Sequence, residues 1–234
     1  MNRKDISHVD IEKIKNIETH LKEVCEDFLN IFPDEIKEKL RGKFYLAGGC
    51  IYSLYNDKTP HDYDFFIQNN TTTLDLLTFL LSCTTRFKHG NIAIGKLNGF
   101  NFVKTKYAIT ITESDHIVND GNKYQIIHKY IGSPNEVVEE FDFRHNMFYY
   151  TPKDNFLGSH ESVSFKYLKA NELYFNDLRC RDLCGVILRL PKFTSRGMTI
   201  KKKEIAKILT KLQGCINDEN EKEIVLDYLS TQGY

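Results

Sequence analysis

In the stretch His61-Asp62-Tyr63-Asp64-Phe65-Phe66 two carboxylates stand two residues apart. Side chains alternate along an extended strand, so Asp62 and Asp64 share one face while Tyr63 and Phe65 take the other. Two hard oxygen donors converging on one spot suit Mg²⁺ or Mn²⁺. A D-x-D alone is more often a pair of solvated aspartates, so the weight rests on what surrounds it. Upstream, Gly48-Gly49 lies between an apolar run and an amphipathic stretch. A glycine pair where a strand turns into a helix lets a phosphate approach backbone N–H groups at the positive end of the helix dipole. A phosphate seat beside a metal seat is the requirement of phosphoryl or nucleotidyl transfer. There the charge of a polyphosphate must be neutralised and the attacking and leaving oxygens aligned.

These residues need elements to position them. Residues 9 to 40 repeat apolar positions at three and four (Ile11, Ile14, Ile17, Leu21, Val24, Phe28), which predicts helix, broken at Phe32-Pro33. Phe44 to Ala47 and Tyr63 to Ile67 predict strands, with the glycine turn and a short helix to Asn56 between them. Leu74 to Cys83 reads as helix; strands follow at Ile92 to Leu97, Phe100 to Thr105, Ala108 to Thr112 and Tyr124 to Tyr130. Ser133-Pro134 with Glu136 predicts a helix start, and Phe143 to Tyr150 a strand. Beyond Thr151-Pro152 the pattern is helical, near 162 to 174, 181 to 194, 201 to 213 and 219 to 230. The expected class is α+β: a mixed sheet with flanking helices and a C-terminal helical region. Its divisions are an N-terminal helical layer (1–42), a central domain (43–157) and a helical neck-like region (158–234).

The sequence resembles the head domain of CCA-adding enzymes and bacterial-type poly(A) polymerases, in the polymerase-β nucleotidyltransferase superfamily. The family's first motif, G-G-x-V-R-D-x-L-L-G-R-x-P-x-D-x-D-F, is matched without a gap from Gly48-Gly49-Cys50-Ile51 to Pro60-His61-Asp62-Tyr63-Asp64-Phe65. Its R-R-D-F-T-x-N-A-x-x-Y is similar to Glu140-Phe141-Asp142-Phe143-Arg144-His145-Asn146-Met147-Phe148-Tyr149-Tyr150. Its L-R-x-x-R-F is echoed by Leu188-Arg189-Leu190-Pro191-Lys192-Phe193. The resemblance implies a metal-dependent nucleotidyltransferase of the polymerase-β-like fold, which moves a nucleoside monophosphate from an NTP to an acceptor hydroxyl, an RNA 3′ end being one candidate. It implies metal binding by Asp62 and Asp64, phosphate contact by Gly48 and Gly49, ribose or base contact by Asp142 and Asn146, and triphosphate contact by Arg189 and Lys192. Arg196 joins these as a phosphate-binding candidate.

Several positions depart from the family. Tyr52-Ser53 replaces Arg-Asp, and Glu140-Phe141 replaces the paired arginines. The third carboxylate of the family falls at Gln125, whose amide can bind a metal weakly but cannot accept the proton of an attacking hydroxyl. Glu113, Asp115 and Asp142 are the candidates to replace it, with Asp142 preferred as a catalytic residue because it lies in a matching motif. If none does, the alternative is an inactive nucleotide- or RNA-binding relic with a regulatory role.

Composition sets the outer bounds. Of 234 residues, 32 are basic and 32 acidic, so net charge selects no partner, but Arg179 to Lys211 holds ten basic residues against Asp182 and Glu204. That asymmetry suggests a face for an anion, NTP or RNA. The six cysteines form no C-x-x-C pair, which argues against a zinc site, and no segment is long and apolar enough for a membrane. A soluble cytoplasmic protein is expected.

Overall fold

The computed structural model describes residues 8–88, 92–113, 122–215 and 218–231. Helix α1 (His8–Asn30) buries Ile14, Ile17, Leu21, Val24 and Phe28 along one stripe. Pro33 then starts α2 (Asp34–Leu40). Strand β1 (Phe44–Ala47) is wholly buried and leads through Gly48 into α3 (Gly49–Tyr55). Next come β2 (Tyr63–Ile67) and α4 (Asn70–Ser82), whose cap Asn69 accepts a hydrogen bond from the Thr72 N–H. A meander follows: β3 (Thr84–Lys88), β4 (Ile92–Leu97), β5 (Phe100–Lys104) and β6 (Ala108–Glu113). Strand β7 (Tyr124–Ile131) then returns beside β2.

After β7, the Ser133–Glu136 capping box opens α5 (Pro134–Val138), followed by a 3₁₀ turn (Arg144–Asn146), β8 (Phe148–Thr151) and β9 (Phe156–Ser159). The C-terminal part holds α6 (Lys166–Lys169), β10 (Glu172–Leu173), α7 (Leu183–Thr194), β11 (Thr199–Ile200), α8 (Lys202–Cys215) and α9 (Glu219–Thr231). The nine strands β1–β9 form one sheet in the order β3-β4-β5-β6-β7-β2-β1-β8-β9, with β2 and β7 its parallel pair. The class is therefore α+β, a mixed sheet with helices and a helical C-terminal region.

Strand alternation gives this sheet two unlike faces. One carries Phe65, Tyr124, Ile126, Ile109, Ile111 and Phe102, all buried; on it Phe28 of α1 stacks on Phe65 with ring centroids 3.8 Å apart. Asp64 faces the other way. One hydrophobic core runs from α1 through the sheet to Leu183, Val186 and Ile208 of the C-terminal helices.

Two local expectations change. The strand expected over 143–150 is interrupted, because Phe143, His145 and Met147 are buried and then Phe148 and Tyr150 are too. The 3₁₀ turn supplies that one-residue phase break. The helix expected near 162–174 is reduced to α6, since Glu172 and Leu173 pair in parallel with Thr199 and Ile200 instead. Among the described residues no helix is long and apolar enough to cross a membrane.

Candidate functional site

Asp62 immediately precedes β2, Asp64 lies within it, and Gln125 is the Cα partner of Asp64 across the parallel β2–β7 pair. The Gln125 amide donates to Asp62 Oδ2 at 3.3 Å. The position at which a third carboxylate was missed is thus occupied by Gln125, beside both aspartates. Burial raises the Asp64 carboxyl to about 7, the nearby Asp62 charge adds to the rise, and Lys192 and Lys123 oppose it. Two carboxylates crowded in this way favour a cation between them.

The glycine turn closes one side. Gly48 has φ +96°, a conformation L side chains rarely adopt, and a Cβ built on it would stand 3.7 Å from Asp64 Oδ2. A Cβ on Gly49 would meet nothing within 4 Å, so this backbone is open to a ligand.

Beside the turn lies a pocket of about 410 Å³. Gly49, Tyr52 and Ser53 of α3, Lys58 and His61 of the loop before β2, His145 and Asn146 of the 3₁₀ turn, and Phe193 and Arg196 at the end of α7 line it. It brings together Gly49, Asn146 and Arg196 from three distant parts of the sequence. The His145 ring meets Tyr52 and Phe193 edge to face. Burial drives the His145 pKa down to about 3, so the ring is neutral near pH 7. His145 Nδ1 and Asn146 Oδ1, on two residues that line the pocket, are both buried without a hydrogen-bond partner among the described residues.

Arg189 and Asp142 meet each other. The Asp142 carboxylate receives Arg189 Nε at 2.6 Å and Nη2 at 2.9 Å, with Arg179 Nε 3.4 Å away. Asp182 completes the square with Arg179 at 2.9 Å and Arg189 at 3.0 Å. Gly185 makes room for it, since a Cβ there would collide with the Asp182 carboxylate and come within 2.7 Å of Arg189 Nη1. Glu113 pairs with Phe100 on the helix-bearing face, opposite Asp64, and Asp115 lies outside the described residues. Of the departures from the family, Tyr52 donates to the Ala170 carbonyl at 3.3 Å, and Glu140 takes Arg181 in a two-point pair at 2.7 and 2.8 Å.

The basic surplus between Arg179 and Lys211 is largely consumed internally. Arg179, Arg181, Arg189, Lys201 and Lys207 all pair with carboxylates, and Lys211 is bound by the carbonyls of Asp177 and Arg179. The anion face read from local charge count is therefore much reduced, because Glu140, Asp142, Glu172 and Asp177, which lie outside that segment, fold onto it. Lys192 and Arg196 remain exposed at the site. Lys123 is the residue the motifs did not reveal. It stands two positions before Gln125, on the same face by alternation, and its charge is felt at Asp64.

A family profile described as Gabija anti-defense 2 matches residues 19–171. No curated protein sequence matches the chain. Among solved structures, a complex of a CCA-adding enzyme with ATP is similar at 15% identity and a TM-score of 0.51, over 88% of this chain and 48% of that one. The Thermotoga maritima CCA-adding enzyme complexed with tRNA is similar at 16% identity and a TM-score of 0.46, over 78% of this chain and 43% of the other. At 15% identity the likeness to the enzyme with ATP is one of fold, and the chain spans about half the length of the structures it matches.

Proposed function

The chain belongs to the Gabija anti-defense 2 family, and from that premise and the site's geometry we propose that it transfers a nucleoside monophosphate from an NTP to an acceptor hydroxyl, releasing pyrophosphate. The observation that carries this reading is the meeting of Asp62, Asp64 and Gln125 beside the bare Gly48-Gly49 turn and the adjoining pocket.

The donor set fits a hard dication. Asp62 and Asp64 offer carboxylate oxygens, and a half-turn of the Gln125 amide presents a third oxygen, neutral where a carboxylate would be charged. A Mg²⁺ or Mn²⁺ held by these residues would supply charge neutralisation for the triphosphate. The pocket takes the nucleoside: Asn146 Oδ1 would accept from base or ribose and His145 Nδ1 would donate or accept by tautomer, while the rings of Tyr52 and Phe193 flank it. Lys192 and Arg196 face the phosphates as counter-charges. In the transfer, the acceptor oxygen bonds to the α-phosphorus, the bond from that phosphorus to the bridging oxygen breaks, and pyrophosphate leaves with the electron pair. The hydroxyl proton passes to water, since Gln125 cannot take it. Asp142 serves in this reading as the anchor that aims Arg189, because both its oxygens are engaged by that guanidinium.

Gln125 also favours a second reading, in which the same site binds a nucleotide without turnover. Purified protein incubated with each labelled NTP, Mg²⁺ or Mn²⁺, and pools of RNA, protein and metabolites separates the two. Pyrophosphate release and label transfer by wild type, lost in Asp62→Asn and Asp64→Asn, are the expected result. Aspartate-dependent triphosphate binding with no release in any pool would leave the binding reading in place. An anti-defence role against Gabija, which the family's description carries, is proposed to act through this site, so both variants should lose it.

A further inference from the structure

The solvated face of an antiparallel sheet is usually polar, and the run β3–β7 departs from that. Register sets Asp64, Gln125, Thr110, Val103, Ile94 and Arg86 in one row across β2, β7, β6, β5, β4 and β3. By alternation Gln125 shares its face with Ile127, in the regular part of β7, and Ile94 with Ile92. On the opposite face Ile109, Ile111, Ile126 and Phe102 are buried, whereas Ile92, Ile94 and Ile127 are half-buried and Val103 is 38% exposed. Ile94 and Val103 are cross-strand partners, so apolar surface is continuous there and not a scatter of single side chains. Lys96 on β4 and Arg86 on β3 rim the same face and make no ion pair among the described residues.

The chemistry of this strip selects the kind of macromolecule it fits. Proteins hold single nucleic-acid strands on aromatic rings that stack with the bases. No aromatic side chain stands on this face of β4–β6, or of β7 as far as Ile127. The arginines and lysines of the C-terminal part, which could follow a phosphate backbone, are instead held by carboxylates. Aliphatic side chains rimmed by cations fit a protein surface that is apolar at its centre and acidic around it. The chemistry at the aspartates then selects the acceptor group. A transferred nucleotide must displace a hydroxyl proton, and Gln125, beside both aspartates, cannot take it. Such a site suits a hydroxyl that sheds its proton unaided. Among those of proteins the tyrosine phenol, with a pKa of about 10, is the most acidic.

We propose that the acceptor is a tyrosine phenol on an acidic protein segment, seated over Ile94, Val103 and Ile127 with Lys96 and Arg86 at its rim. This rests on the transfer reading of the aspartates and supplies the acceptor class which that reading left open. The phenol oxygen bonds to the α-phosphorus, the bond from that phosphorus to the bridging oxygen breaks, and pyrophosphate leaves with the electron pair. The phenol proton goes to water. The product is a phosphodiester joining the tyrosine oxygen to the nucleoside.

Binding and turnover are measured apart, with a random copolymer of glutamate and tyrosine as the probe. In EDTA, fluorescence anisotropy of the labelled copolymer should show binding that Asp62→Asn, Asp64→Asn leaves intact. Ile94→Asn, Val103→Asn and Lys96→Glu together should weaken it roughly tenfold or more. Near-ultraviolet circular dichroism checks that this triple variant is folded, and Lys96→Glu alone, on an exposed side chain, should show part of the loss. With Mg²⁺ or Mn²⁺ and an α-labelled NTP, label should enter the copolymer and neither polyglutamate nor an RNA oligonucleotide. Mass spectrometry should find the added nucleoside monophosphate on tyrosine. In an acidic peptide, serine in place of tyrosine should slow transfer roughly a hundredfold, the factor a resident base would otherwise supply, and a ring-fluorinated, more acidic tyrosine should speed it at pH 7. Equal transfer to serine and tyrosine, or copolymer binding unchanged in the folded triple variant, would overturn the proposal. Label on RNA or a metabolite with none on tyrosine would do so too, and would leave the transfer reading standing. No pyrophosphate release with any acceptor would remove both.

Discussion

Replacing Asp64 by Asn should stabilise the metal-free protein at pH 8 and leave it almost unchanged at pH 4. Burial and the Asp62 charge raise Asp64 to about 7, against about 3.9 for an ordinary aspartate. The folded state therefore holds the proton between pH 4 and 7 while the unfolded chain has released it. Stability falls as pH rises through that window, and the deficit is fully present above 7. A rise of about three pH units corresponds to roughly 4 kcal/mol, and water at the mouth of the site screens this to about 2. For a protein of this size that is a melting-temperature gain of roughly 4–8 °C for Asp64→Asn at pH 8. Differential scanning fluorimetry in EDTA from pH 4 to 8 reads the difference between variant and wild type, in which other titrations cancel. Adding Mg²⁺ or Mn²⁺ at pH 8 should close the gap by stabilising wild type alone, by about 2.7 kcal/mol at a hundred times the dissociation constant. A gap that does not grow with pH, or a destabilised variant at pH 8, would refute the account of two carboxylates held together against their repulsion.

Gln125→Glu should restore proton-accepting capacity beside the aspartates and raise turnover roughly tenfold or more, read as pyrophosphate release, while lowering metal-free stability at pH 8. Asp142→Asn should destabilise the fold by about 3 kcal/mol in urea titration, since it leaves two buried or half-buried arginines short of their partner. Gly185→Ala should disturb the same square of charges by forcing Asp182 and Arg189 apart, lowering the melting temperature by several degrees. Asn146→Ala should raise the nucleotide KM roughly tenfold with little change in the melting temperature, because the residue lines the pocket and its Oδ1 has no hydrogen-bond partner to lose.

Much of the sheet was legible because each strand announces itself within a few residues. Phe44 to Ala47, Tyr63 to Ile67 and Ile92 to Leu97 read as strands from local pattern, and the structure has them there. β3 was not, as Thr84-Thr85-Arg86-Phe87-Lys88 shows little apolar alternation and owes its strand to pairing with β4. Charge was the least legible quantity. A count along the chain finds ten basic residues between Arg179 and Lys211, but cannot see that Asp142, Glu140, Glu172 and Asp177 fold onto them. Conversely, Arg86, Lys96 and Lys123 are scattered in the sequence, and only strand register brings them to the face that bears Asp64.

Gln125 is where these threads meet. A third carboxylate at this position would add a negative charge to a spot where burial and the Asp62 charge already raise Asp64 to about 7. A neutral amide at that position limits the repulsion, and its donation to Asp62 holds one carboxylate in place before any cation arrives. The exchange trades proton-accepting power for a pre-set seat. It leaves charge neutralisation of a bound triphosphate to the cation that Asp62 and Asp64 would hold and to the lysines at 123 and 192. If transfer occurs, its rate should therefore rise with acceptor acidity more steeply than in a site with a resident base, because no side chain beside the aspartates takes the hydroxyl proton. A series of acceptor hydroxyls of graded pKa, compared in wild type and Gln125→Glu, measures that steepness. Equal slopes in the two proteins would mean the proton leaves by another route.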